Sequence, residues 1–280
     1  MGVRCMGRMV LSTIIITIII TTTTTTIITI TTTSGAAMTT IRYRVFEPRL
    51  QPRRTRTQVP GWAGERVPRR DGEHEYPWHC MPFVEAAQGG IELLYPYDNE
   101  LRVTRRAGQV VLEGDFGPDP GTGVLWPPFR NFGDLYYTYQ VLLDLRVPDD
   151  MAVRTEPHPR VFTSIEDDVP VAVPALLRTA WWPMISFVVF KAPPEGRFHV
   201  FRPGEPFMQM LIVPLPREIE LAAMAPDEAA ERELQGRRIH ASRATLGQDS
   251  TWHSATKTVF DGTYRRLLGA ATAKQRNAER

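Results

Sequence analysis

Between positions 76 and 216 the apolar residues come in short runs cut by proline and glycine, and this punctuation constrains the fold more than any other feature. Ile91–Tyr97, Asp134–Val147, Ile185–Phe190 and Phe207–Val213 are rich in β-branched and aromatic residues, the composition of buried or half-buried strands. Turn residues separate them, as at Pro148-Asp149-Asp150, Ala192–Gly196 and Arg202–Pro206. With 24 prolines and 20 glycines in the chain, short strands are favoured over long helices. The expected fold is mostly β over 76–216: a β-clip-like or double-sheet barrel or sandwich, with one or two C-terminal helices.

Within that body Tyr76–Phe83 reads as an extended segment, because prolines stand near both ends. Ile91–Tyr97 continues through Glu100–Val103. Arg105–Gly108 then turns the chain and Gln109–Glu113 returns as a hairpin. Gly114–Pro128 holds four glycines and four prolines and is expected to be a loop, of a length that often carries function. Asp134–Val147 reads as one long strand region and Ala152–Thr155 as a short strand. Glu156-Pro-His-Pro-Arg160 reads as a rigid exposed segment. Val169–Val173 and Leu176-Leu177 lead to Trp181-Trp182. Ile185–Phe190 reads as a buried strand, with Phe198–Phe201 pairing back after it.

After Pro216 the composition changes, and 217–280 is expected to be a helical extension. Pro226-Asp227-Glu228 opens a helix, since proline suits a first turn and acidic residues favour the helix N-terminus. A second helix is expected over Phe260–Ala273, with Tyr264, Leu267 and Leu268 on one face.

The N-terminal residues 1–37 read as an Ile/Thr low-complexity leader standing apart from the fold. Three readings of Met9–Thr33 are open: a disordered leader or mis-annotated start before Met38, a signal peptide, and a membrane anchor. The apolar run gives way to six threonines after about a dozen residues, short of the roughly 20 a spanning helix needs. A start at Met38 implies a cytoplasmic protein; the other readings imply a secreted or anchored one. An uncharged Ile/Thr tract is also prone to β-aggregation.

The formal net charge of +2 is supplied by Arg4 and Arg8, so the rest of the chain is neutral. That gives no strong nucleic-acid signal, because phosphate contacts require a surplus of Lys and Arg. The exception is local: Ile41–Arg70 carries nine arginines against Glu47 and Glu65. With its four prolines, the region 38–75 reads as an extended arm, either solvated or bound to an acidic partner. Cys5 and Cys80 are the only cysteines, too few for a disulfide framework.

Side chains suited to chemistry are scattered. His79-Cys80 offers metal-ligand or nucleophile–base chemistry, although neighbours on an extended chain point to opposite faces. His79, His158 and His199 are the candidate metal ligands, with Glu156 as a carboxylate. Trp181 and Trp182 are candidates to line a pocket or stack a planar ring. Arg154 and Arg160, with Arg178 and Arg202, are candidates to clamp an anion. Against each stands a plain structural role in core packing, a satisfied histidine or a solvated arginine. No phosphate-binding loop, dinucleotide glycine motif or nucleophile elbow is present.

The stretch RTAWWPMISFVVFKAPPEGRFHVFRPGEPFMQMLIVP, from Arg178 to Pro214, resembles a bacterial family known only as domain of unknown function 6065. Tyr76–Phe83 and Arg154–Arg160 resemble other parts of that family, whose name implies no activity. Arg202-Pro-Gly-Glu-Pro-Phe-Met-Gln209 and the apolar run to Pro214 also resemble the β-clip of dUTPases and dCTP deaminases. That resemblance implies a tight turn at Gly204 and places Gln209 inside a closing ladder, as a candidate ligand-binding residue. The hydrolytic residues do not carry over. No carboxylate stands near Leu176–Trp181, and Arg160 is followed by Val161-Phe162 rather than by serine. The metal pattern of cupins, the rival fold, is missing too.

Function at this level is open between two classes. One is a β domain binding a small anionic or planar ligand through Trp181, Trp182, His158, Arg160, Arg154 and Gln209. The other is an enzyme, either metal-dependent through its histidines or a degenerate nucleotide-processing one. No cofactor is indicated, and oligomerisation is open.

Overall fold

The structure is a computed structural model, and it describes residues 25–29, 40–56, 76–114, 128–246, 252–253, 259–260 and 262–278. In chain order the first elements are β1 (Thr25–Thr29), β2 (Thr40–Val45), β3 (Arg53–Arg54), α1 (Met81–Gln88), β4 (Ile91–Leu94), β5 (Leu101–Arg106) and β6 (Gln109–Glu113). There follow β7 (Phe129–Asn131), β8 (Tyr136–Val141), β9 (Leu143–Arg146), β10 (Met151–Pro157), β11 (Val171–Ala172) and β12 (Leu176–Leu177). The last are β13 (Ser186–Lys191), β14 (Phe198–Phe201), β15 (Pro206–Pro214), α2 (Pro226–Leu246), β16 (Trp252–His253), β17 (Val259–Phe260) and α3 (Thr263–Ala278).

The protein is mostly β, built from antiparallel sheets. A five-stranded sheet runs β12-β10-β15-β4-β3 and a four-stranded one β11-β13-β8-β7. Two three-stranded sheets run β1-β2-β9 and β14-β5-β6, and β16 pairs with β17. Among the described residues none of these sheets closes into a barrel. Strands of the four larger sheets share one core. Tyr137, Tyr139 and Val141 point inward from β8, Val188 and Phe190 from β13, and Met208 and Met210 from β15. Phe129 lies between Tyr139 and Phe201, 4.8 Å from each ring centroid, in the tilted and edge-on geometries that aromatic pairs favour.

Local chemistry accounts for the turns. The β5–β6 hairpin turns through Ala107 (φ 49°) and Gly108 (φ 79°), and positive φ at both central residues matches the twist of the strands. Gly90 (φ 73°) links α1 to β4 where a β-carbon would lie 2.0 Å from the Met210 carbonyl oxygen, so no side chain fits there.

Several expectations are corrected. The β body begins before Tyr76. Ile41, Tyr43 and Leu50, assigned to an extended arm, are buried in the main core, because alternation lets Arg42 and Arg44 face outward. The leader does not stand wholly apart: Thr25–Thr29 pairs residue for residue with Thr40–Arg44, and the rest of the Ile/Thr tract lies outside the described residues. Tyr76–Phe83 is not extended. It forms a 3-10 turn (Pro77–His79) and the start of α1, with prolines in the first turns where the missing N–H costs nothing.

Asp134–Val147 is two strands, since the chain leaves one sheet for another at Leu142. β13 is buried on one face only, and Phe187 is half exposed. β14 pairs with β5 rather than with β13. The expected loop after Gly114 lies outside the described residues up to Pro127.

The two expected C-terminal helices are present. α2 is exposed along almost all of its described length, and α3 leaves Tyr264 and Leu267 open to solvent. No helix among the described residues is long and apolar enough to cross a membrane.

Candidate functional site

Two neighbourhoods gather the side chains nominated above. The first is the second face of the five-stranded sheet. Glu156, Gln209, Glu92 and Arg53 stand in register across β10, β15, β4 and β3. Residues in register share a face, and the alternate positions Val153, Met208, Met210, Ile91 and Leu93 supply the core on the other side. A strand buried on both faces must satisfy every polar group on its second face internally.

Glu92 is 1% exposed and is the hub of that network. Its carboxylate accepts from Arg53 Nε, from His158 Nε2 at 3.0 Å and from the Arg56 backbone N–H at 3.4 Å. The tautomer of His158 follows from its other nitrogen. Nδ1 accepts the Arg160 backbone N–H at 3.2 Å, so Nε2 carries the proton it gives to Glu92. Burial pushes the Glu92 carboxyl pKa up, but the hydrogen bonds from His158 and Arg53 outweigh it and hold the pKa below the usual range.

Gln209 closes the network from the centre. Its amide nitrogen donates to the carbonyl of Ala87 at 3.0 Å and reaches the carbonyl of Gly89, within 3.4 Å of the Ala86 carbonyl and Thr55 Oγ1. It thereby satisfies the carbonyls that end α1, which are left without partners inside the helix. Gln209 is thus placed to fasten a helix to a sheet.

The nominated arginines of this face are also engaged. Arg160 donates to the Pro206 carbonyl at 2.9 Å and to Glu205 at 2.7 Å. Arg154 pairs with Glu156 on its own strand. Arg202 holds the buried Asp168 at 2.7 Å; burial raises the Asp168 pKa, and the bonds from Arg202 and Ser164 more than reverse that. Gly204 (φ 72°) makes the tight turn beside them.

The expectation that Glu156–Arg160 is an exposed segment is corrected here. His158 is 3% exposed, because its imidazole is drawn in by the Glu92 carboxylate.

The three histidines do not meet. His79 Nδ1 accepts the Tyr76 N–H at 3.0 Å, and His158 is bound to Glu92. His199 bonds Tyr137 Oη at 2.9 Å in a different sheet, where burial pushes its pKa down to about 4. Among the described residues no three His, Cys, Asp or Glu side chains are placed to hold a metal ion. Cys80 is a free thiol that burial pushes up in pKa, away from the reactive thiolate.

The second neighbourhood is the reverse of the first. Trp181 and Trp182, expected to line a pocket, stack a planar ring or pack in the core, are 68% and 48% exposed. Their rings meet edge to face at 5.9 Å. Met184 and Phe187 follow in the chain, both about half exposed, and Arg178 precedes them on the surface. The segment is anchored by Arg44, whose guanidinium donates to the Pro183 carbonyl at 3.2 Å.

Residue reading missed Glu92 and Arg53. A carboxylate between Ile91 and Leu93 carries the pattern of a solvent-facing strand position, and its partners Arg53 and His158 come from distant parts of the chain.

No family model matches the chain, so none supports the resemblance to domain 6065, and no curated protein matches it. Among solved structures, native EIAV dUTPase is similar over 66% of this chain and 98% of that chain, at 9% identity and a TM-score of 0.32. At that score the likeness carries no argument about the activity of this chain.

Proposed function

We propose that this protein is a β scaffold that binds a small planar ligand on the exposed face of Trp181 and Trp182. The observation that carries this reading is the exposure of two mutually packed indoles, with Met184 and Phe187 beside them in sequence. An aromatic side chain buries about 150–250 Å² when covered, so leaving two open forgoes burial that a flat ligand restores. The hydrogen bond from the Arg44 guanidinium to the Pro183 carbonyl ties the segment to the sheet before binding, which lowers the ordering cost. The acid–base candidates argue against catalysis, since Glu92, His158, Arg160 and Asp168 are each taken up by internal partners.

A neutral planar fluorophore, N-phenyl-1-naphthylamine, tests the reading directly. Its emission is expected to rise and saturate with the wild-type chain. Trp181→Ala/Trp182→Ala should weaken binding about tenfold or more, since base–aromatic stacking contributes about 1–3 kcal/mol per ring. Arg154→Ala should bind as wild type. Equal binding by the double variant removes the site.

A further inference from the structure

The outer face of the β1-β2-β9 sheet breaks a local rule. On β2, Ile41 and Tyr43 point into the core while Arg42 and Arg44 face out. Arg44 stands opposite Asp144 and pairs with it at 2.9 Å. One step along the same face, Arg42 stands opposite Arg146. Both are exposed, and among the described residues neither side chain makes a hydrogen bond or an ion pair. Like charges placed directly opposite destabilise a sheet. A local conflict kept without a local gain is the pattern expected at a functional position.

The geometry suits one kind of occupant. Directly opposed residues have β-carbons about 5 Å apart, so two guanidinium groups can reach a common point above the sheet. Each presents a planar fork of donors matched to the oxygens of a carboxylate or phosphate. The acid on that face is already engaged, because Asp144 is held by Arg44. The neighbouring position is rigid as well, since Arg44 is tied to both Asp144 and Pro183. Arg42 belongs to the arginine-rich stretch 41–70, whose nine arginines are offset within it only by Glu47 and Glu65.

We propose that Arg42 and Arg146 form an oxyanion receptor, clamping one phosphate or carboxylate group between two guanidinium forks. The proposal does not depend on the planar-ligand reading of Trp181 and Trp182. A failure of either can be told apart, because removing the indoles leaves this pair intact.

The test is thermal unfolding of the full chain with inorganic phosphate replacing chloride at constant ionic strength. Wild type and the surface control Arg197→Ala should gain about 2 °C or more in Tm. Arg42→Ala and Arg146→Ala should each lose that gain. In dilute chloride Arg42→Glu should melt above wild type, because it turns a repulsive cross-strand pair into an attractive one. Phosphoserine and succinate, run in the same format, separate a phosphate source from a carboxylate one. The proposal is overturned by equal phosphate gains in all the proteins, by no gain in any, or by an Arg42→Glu chain that melts no higher than wild type.

Discussion

The polar face under α1 and the open surface around Trp181 and Trp182 are built on opposite terms. Under α1, Glu92, His158, Gln209 and Arg53 are charged or polar and largely hidden from water, and each is bonded to another group of the same chain. Around Trp181 and Trp182 large apolar rings stand in water, and among the described residues they have only each other as ring partners. The first arrangement resembles an active site by residue type, yet its hydrogen bonds are consumed in joining β3, β4, β10, β15 and α1. The second offers no acid or base among Trp181, Trp182, Met184 and Phe187, yet it leaves large apolar rings uncovered. The buried His158–Glu92 pair is thus bonded within the chain, whereas the indole surface is not covered by any described residue's ring but its own.

Three measurements sharpen or break this contrast. The largest effect is expected at the hub. Glu92→Ala should cost about 3 kcal/mol or more in urea unfolding, because it leaves Arg53 and His158 without their shared acceptor. If the face were a catalytic centre tuned at the expense of stability, the same variant would be neutral or stabilising, and the contrast would fail.

Acid should weaken the buried side next. His199 is neutral in the fold, with its pKa pushed to about 4, whereas in the unfolded chain it takes a proton near its ordinary value of about 6.5. Between those values the unfolded state binds more protons, so stability falls as pH falls, by about 3 kcal/mol across the window. The lowered pKa values of Glu92 and Asp168 act further down. Their contribution is present above the ordinary carboxylate range and is lost as pH drops through the folded values. Urea titrations at neutral pH and near pH 4 should show the His199 slope, and His199→Gln should flatten it. An unchanged slope would mean that His199 is not held neutral by burial.

The smallest effect separates the two regions most cleanly. Trp181→Ala/Trp182→Ala should leave stability within about 0.5 kcal/mol of wild type, since exposed positions away from the core contribute little to the fold. A loss of several kcal/mol would show that the indoles belong to the core and that the binding surface is misplaced.

Much of the architecture could be read from the residues. Proline and glycine marked the strand ends around Phe207–Val213, and the turn at Arg105–Gly108 was read where β5 and β6 meet. Pro226 with its acidic neighbours announced α2. The readings that failed share one cause. His158 between two prolines reads as exposed, and Arg42 reads as part of an extended arm apart from the β body. In each case the residue type and its neighbours are the same whether or not another segment covers it. The deciding neighbours come from parts of the chain tens of residues away: Glu92 binds His158, and Arg146 stands opposite Arg42.

Residue order alone is enough to show that this chain is mostly β, where strands such as Phe207–Val213 lie, and that helices follow Pro216. Those features follow from side-chain alternation and backbone restriction within a few residues. Only the tertiary structure decided which polar groups are spent on one another and which surfaces are left without partners. Burial and hydrogen bonding depend on contacts between distant segments, and no local pattern encodes which face of a strand another element will cover.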